Sequence, residues 1–169
     1  GIASTLPVYN KVPEFSLIER SGSLVSLSDL IGKVWIANFI FTHCAGPCPF
    51  ITTQMKKLQT QLVQVANVQL VSVSVDPERD SPRVLSDYSL RFGADKENWF
   101  FLTGEKAAVY RMIREGFRIA IEDDLEANQI SHSLKFVLVD RAGQVRAYYD
   151  GTDPELVDKV ILDLKILKG

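Results

Sequence analysis

The run VWIANFIF, Val34 to Phe41, constrains the fold of this chain more than any other stretch. Successive side chains of a strand point to opposite faces, so a strand apolar at nearly every position must be covered on both. Such a strand sits centrally in a sheet with helices packed above and below. The next residues supply what that requires. From about Pro49 to Ala66, Ile51, Met55, Leu58, Leu62 and Val65 recur at three- and four-residue steps, the pattern of a helix with one apolar face. The segment QLVSVSV, Gln69 to Val75, then alternates and puts Val71, Val73 and Val75 on one face of a second strand. Strand, helix, strand is a parallel unit.

The flanks extend it. Phe15-Ser16-Leu17 and Leu24-Val25-Ser26-Leu27, separated by Arg20-Ser21-Gly22-Ser23, read as a hairpin, and Ser28 to Lys33 as one helical turn. Asp80-Ser81-Pro82 opens a helix, with a capping side chain before a proline at the first helical position. Trp99 to Leu102 reads as a strand and Glu105 to Gly116 as a helix. Leu134 to Val139 and Gln144 to Tyr149 form a second hairpin, and Asp153-Pro154 begins a last helix ending near Leu167. This order is an α/β, thioredoxin-like three-layer fold: a central mixed sheet flanked by helices, with an N-terminal hairpin and inserted elements. Residues 1–12 lack periodicity and read as an extended arm before a single domain over 13–169.

With 19 basic and 21 acidic side chains the net charge is −2, and no basic run stands out, which argues against nucleic acid as a partner. No stretch reaches the ~18–20 consecutive apolar residues of a membrane span. The chain begins at Gly1 rather than Met, as a processed or shortened chain does, so the lack of a signal or anchor segment is no evidence that none precedes it.

The two cysteines, Cys44 and Cys48, lie in FTHCAGPCPF, directly after the central strand. Ligands of open α/β sheets bind beyond the C-terminal ends of parallel strands, which is where this loop falls. With Pro49 as the first helical residue, Cys48 is expected at the N-cap, where unpaired backbone N–H groups favour a thiolate. A structural disulfide over this spacing closes a small ring and stabilises weakly. A thiolate is both a nucleophile and a soft metal ligand, so a redox pair and a metal site both stay open.

His132 bears on that choice. It precedes the strand Leu134–Leu138, and no proline occurs between Pro82 and Pro154, although thioredoxin-like oxidoreductases carry a cis-proline before this strand. The expected fold brings residues 48 and 132 to one sheet edge. Two thiolates and an imidazole suit Cu(I), or Cu(II) or Zn(II) with a fourth ligand. Strand alternation turns His43 away from Cys44, leaving it a structural or supporting role. In Asp76-Pro77-Glu78-Arg79-Asp80, helix capping and mutual pairing are favoured over a docking role. Glu122, Asp123, Asp124 and Glu126 read as a solvated loop able to meet a basic partner face.

At this point the chain resembles the Sco/SenC family of copper-delivery proteins. The resemblance rests on the CxxxCP motif of FTHCAGPCP, on VSVSVDPERDSPRVLSDY, on FLTG and on ISHSLKFVLVDRAG, and it runs from about Val12 to Leu167. It implies Cys44, Cys48 and His132 as ligands of one copper ion, with Cys44 and Cys48 also a redox pair able to form a disulfide. It implies a metallochaperone that delivers copper to, or keeps reduced the cysteines of, the binuclear centre of cytochrome c oxidase subunit II. The alternative is a thiol–disulfide oxidoreductase; a peroxidase lacks its marks here. The resemblance also implies a membrane tether, with the arm over 1–12 the remnant of a linker after a removed anchor, and a location in the periplasm or mitochondrial intermembrane space. A monomer is expected. Family members commonly carry Pro-Asp after the first cysteine; Ala45-Gly46 makes this loop less acidic and more flexible.

Overall fold

In chain order the elements are β1 (Asn10–Lys11), β2 (Ser16–Glu19), β3 (Leu24–Ser26), α1 (Leu27–Leu30), β4 (Val34–Ile40), α2 (Cys48–Leu62), β5 (Val68–Ser74), α3 (Pro82–Arg91), β6 (Trp99–Thr103) and α4 (Lys106–Arg111). A π turn over Met112–Gly116 continues α4, and β7 (Glu122–Asp124), β8 (Gln129–Ser131), β9 (Lys135–Val139), β10 (Gln144–Asp150) and α5 (Leu156–Lys168) complete the chain. The computed structural model describes residues 5–43, 46, 48–119, 122–124, 129–131 and 134–168, with the backbone alone at 122–124 and 129–131.

The main sheet has the order β1-β10-β9-β4-β5-β6-β2-β3, and β7 pairs with β8 separately. Parallel pairing joins β4 to β5 and β5 to β6, with Trp35 opposite Gln69 and Val71 opposite Phe100. On the other side of β4, β9 runs antiparallel, with Ala37 opposite Val137. A β4-α2-β5 unit, the β9–β10 hairpin and α5 give the thioredoxin-like arrangement expected.

Every residue of β4 is buried. The alternation read in the sequence becomes two cores. Trp35, Ala37 and Phe39 face one side with Val71, Val73 and Val75, under the π turn and Phe117. Val34, Ile36 and Ile40 face the other with Leu70, under α2, α3 and α5. Phe117 stacks edge-on to Trp35 at a centroid distance of 5.8 Å and lies 5.4 Å from Phe39. Each large apolar side chain so buried contributes ~1.5–3 kcal/mol.

The structure departs from the expected boundaries at several places; the helical turn read over 28–33 is α1 at Leu27–Leu30, and the last helix starts at Leu156 rather than at Asp153-Pro154. Helix α2 begins at Cys48, which lies inside the first turn rather than at the cap. It ends at Leu62 rather than near Ala66, because the chain must reverse into β5. Asn67 takes φ 61° in that reversal, and its carbonyl accepts a hydrogen bond from the Val34 N–H at 2.9 Å. The helix expected over 105–116 changes to π geometry at Met112, where the Phe117 N–H reaches back to the Met112 carbonyl at 3.1 Å. That extra residue per turn swings Phe117 into the core. Glu122–Asp124, read as loop, is a strand paired with Gln129–Ser131. Within the arm, Asn10 and Lys11 pair with Val145 and Gln144 of β10.

Candidate thiol and metal site

Cys48 is 1% exposed and opens α2, where the first N–H groups of the helix have no partner within it. The positive end of the helix dipole therefore faces the thiol-bearing turn, and favours negative charge there. Phe50, in the same turn, is about half exposed. Cys44 and His132 lie outside the described residues.

Two residues before Cys44 the chain is tied down by hydrogen bonds. The Thr42 N–H donates to Asp80 Oδ2 at 3.1 Å and the Thr42 hydroxyl to Asp80 Oδ1 at 2.5 Å. Ser74, last residue of β5, donates its hydroxyl to Asp80 Oδ2 at 2.7 Å. Asp80 is 0% exposed, and both of its oxygens accept from these donors. The loop folds back on itself, with the N–H of Asp80 on the Asp76 carbonyl at 2.9 Å. Pairing within DPERD occurs as expected at Asp76 and Arg79, 3.6 Å apart. Capping does not fall to Asp80: Ser81 caps α3 by accepting the Val84 N–H at 3.2 Å.

Asp76 is also buried, and its Oδ2 has no hydrogen-bond partner among the described residues. Burial pushes its carboxyl above the ordinary range. Arg79 pulls it back, Asp80 pushes the same way as burial, His43 lowers it and Glu78 raises it. His43 itself is exposed, with Nδ1 3.3 Å from the Thr42 hydroxyl.

The opposite side of the site is held by packing. Strand β9 starts three residues after His132, at the end of the sheet where β4 finishes. Gly151 marks how closely its start approaches α2. Its N–H donates to the Leu134 carbonyl at 2.8 Å. A Cβ on Gly151 would overlap that carbonyl oxygen and lie 3.1 Å from the Ile51 methyl and 3.1 Å from the Phe136 ring. The turn after Cys48 and the residue two beyond His132 thus converge on the space of one methyl group. Gln54 of α2 adds a hydrogen bond to the Asp153 carbonyl at 2.7 Å.

The family model described as SCO1/SenC matches residues 4–165. The chain belongs to the SCO1/SenC family. Its structure is similar to that of a SCO1/SenC family lipoprotein from Bacillus anthracis, with 33% identity, a TM-score of 0.88, and 95% of this chain and 96% of that chain covered. It is similar to BsSco, described as a member of the Sco family of cytochrome c oxidase assembly proteins with a disulfide switch, at 32% identity and a TM-score of 0.85, covering 96% of this chain and 97% of that chain. Yeast Sco1 with copper bound matches at 26% identity and a TM-score of 0.75, covering 94% of this chain and 90% of that chain.

Three residues that shape this SCO1/SenC site were not singled out in the sequence: Thr42, Ser74 and Gly151. Thr42 and Ser74 are ordinary strand-end residues until β4 and β5 are paired. Gly151 reads as a plain turn glycine after Asp150, and its steric role exists only once Leu134 and Ile51 are adjacent.

Proposed function

We propose that this protein binds one copper ion through Cys44, Cys48 and His132 and serves cytochrome c oxidase assembly. The observation that carries this reading is the convergence at Gly151 of the first turn of α2 with the start of β9, because it draws together the segments bearing Cys48 and His132. The donor chemistry fits a soft metal. Two thiolates and an imidazole are the soft donor set that Cu(I) prefers over carboxylate oxygen. The acceptor is the binuclear copper centre of oxidase subunit II. An N-terminal tether holds the 13–169 domain, a monomer, at the membrane in the periplasm or mitochondrial intermembrane space. The copper-bound yeast relative supports the copper assignment, and the lipoprotein relative supports the tether.

The same two cysteines serve a second role, supported by the disulfide switch of BsSco. Cys44 and Cys48 lose two electrons and two protons as they close a disulfide, and a disulfide on the acceptor gains them and opens to two thiols. Reducing the acceptor's cysteines precedes loading them.

Anaerobic Cu(I) titration of the reduced protein against a chromophoric chelator tests the copper reading. We expect one Cu(I) per chain, and a loss of more than about tenfold in affinity in His132→Ala. Affinity should fall as pH drops, because both thiols release protons on binding. Unchanged affinity in His132→Ala rejects the three-ligand set.

A further inference from the structure

The geometry points to Asp80 as a positioning residue for the cysteine loop: a buried carboxyl that clamps Thr42 to the end of β5 and so sets the path on which the chain enters Cys44. The inference rests on Cys44 and Cys48 being the working thiols. It requires no bond between Asp80 and copper.

Three features carry it. Asp80 is fully buried, yet among the described residues it pairs with no cation; its oxygens are satisfied by the Thr42 amide, the Thr42 hydroxyl and the Ser74 hydroxyl. A buried polar group so completely matched holds its partners in one geometry, since releasing any of them leaves an unpaired group in the interior. The clamp also grips the backbone of Thr42 and not merely its side chain, which fixes the direction in which β4 is extended. Finally, Asp80 is anchored behind. Its own N–H is bonded to the Asp76 carbonyl, and Ser81 next to it caps α3, so the clamp is backed by a helix. The far arm of the loop is already fixed because Cys48 belongs to α2. Asp80 supplies the matching restraint on the near arm.

Two thiols held at a set separation bind a metal, or close a disulfide, without first losing the freedom of a loose loop. Removing the clamp should therefore weaken both processes, and the two readouts are independent. In Asp80→Ala we expect Cu(I) affinity to fall about tenfold, and the equilibrium constant for Cys44–Cys48 disulfide formation against glutathione to fall about threefold. Asp80→Asn should recover most of both. Its carbonyl oxygen can take the Thr42 amide and Ser74 hydroxyl, while its NH2 donates to the Thr42 oxygen. Thr42→Val should give an intermediate loss and Thr42→Ser none. This pair carries the test should Asp80→Ala fail to fold.

Leu164→Ala, in α5 away from the clamp, serves as the control for lost stability alone; it should lower the unfolding midpoint and leave both constants at wild-type values. The inference is overturned if folded Asp80→Ala, or Thr42→Val where Asp80→Ala does not fold, keeps wild-type values of both constants. It is equally overturned if Leu164→Ala loses as much as the clamp variants. If the wild type binds no Cu(I), the copper reading fails, and the disulfide constant still decides the role of Asp80.

Discussion

The segments before and after the cysteine loop are held by opposite kinds of force. On the β5 side, Thr42, Ser74 and Asp80 form a buried set of hydrogen bonds that depend on direction and on donor–acceptor matching. On the β9 side, Ile51, Leu134 and Phe136 close around Gly151 by shape, and the absence of one Cβ makes the approach possible. A hydrogen-bonded clamp tolerates an isosteric exchange that preserves its pattern. A close approach tolerates none, because a packed interior has no spare volume for a methyl group.

Breaking the packed side should have the largest effect. Gly151→Ala must push against the Leu134 backbone oxygen, which cannot move without disturbing β9. We expect a loss of about 3 kcal/mol in urea unfolding, at the upper end of ordinary overpacking, together with weaker Cu(I) binding. A variant within 0.5 kcal/mol of wild type, about the range of a neutral surface change, would show that the contact yields freely.

A smaller change sharpens the hydrogen-bonded side. Ser81→Ala removes the cap of α3, which is worth about 1 kcal/mol, while leaving the bonds of Asp80 in place. Stability should fall by that amount with Cu(I) affinity unchanged. An affinity loss matching that of Asp80→Ala would mean that α3, and not the carboxyl, positions the loop.

Asp76 gives the smallest and most pH-dependent effect. Burial raises its carboxyl above its unfolded value. The folded state therefore holds this proton more tightly, and the resulting stability is fully present below the unfolded value and lost as pH rises through the folded one. Asp76→Asn should remove that dependence, making the variant more stable than wild type at neutral pH and losing the advantage in acid. Parallel stability curves from pH 3 to 8 would contradict this.

Much of the fold was legible because its signals are local. Continuous apolarity predicted the burial of β4, and the three- and four-residue steps predicted the face of α2. The alternation of Val71, Val73 and Val75 predicted which core they join. The misplacements have local causes too. Val65 extended the apolar pattern of α2 beyond the point where Asn67 turns the chain, and it is partly exposed. The π turn has the composition of an ordinary helix. Glu122–Asp124 carries none of the apolar alternation by which strands are recognised, because β7 pairs only with β8 outside the main sheet.

For the site, the sequence by itself supplied the proposed chemistry: two thiols at CxxxC spacing, a histidine before a late strand, and a family resemblance that names all three. It also set Cys48 at the start of a helix, within one residue. Only the tertiary structure decided what holds that chemistry in place. Thr42 and Asp80 are 38 positions apart, and they meet because β4 and β5 run parallel and end together. Gly151, Leu134 and Ile51 meet because β10, β9 and α2 pack at one end of the sheet. Hydrogen bonding and steric exclusion act over a few ångströms in space, whatever the separation along the chain.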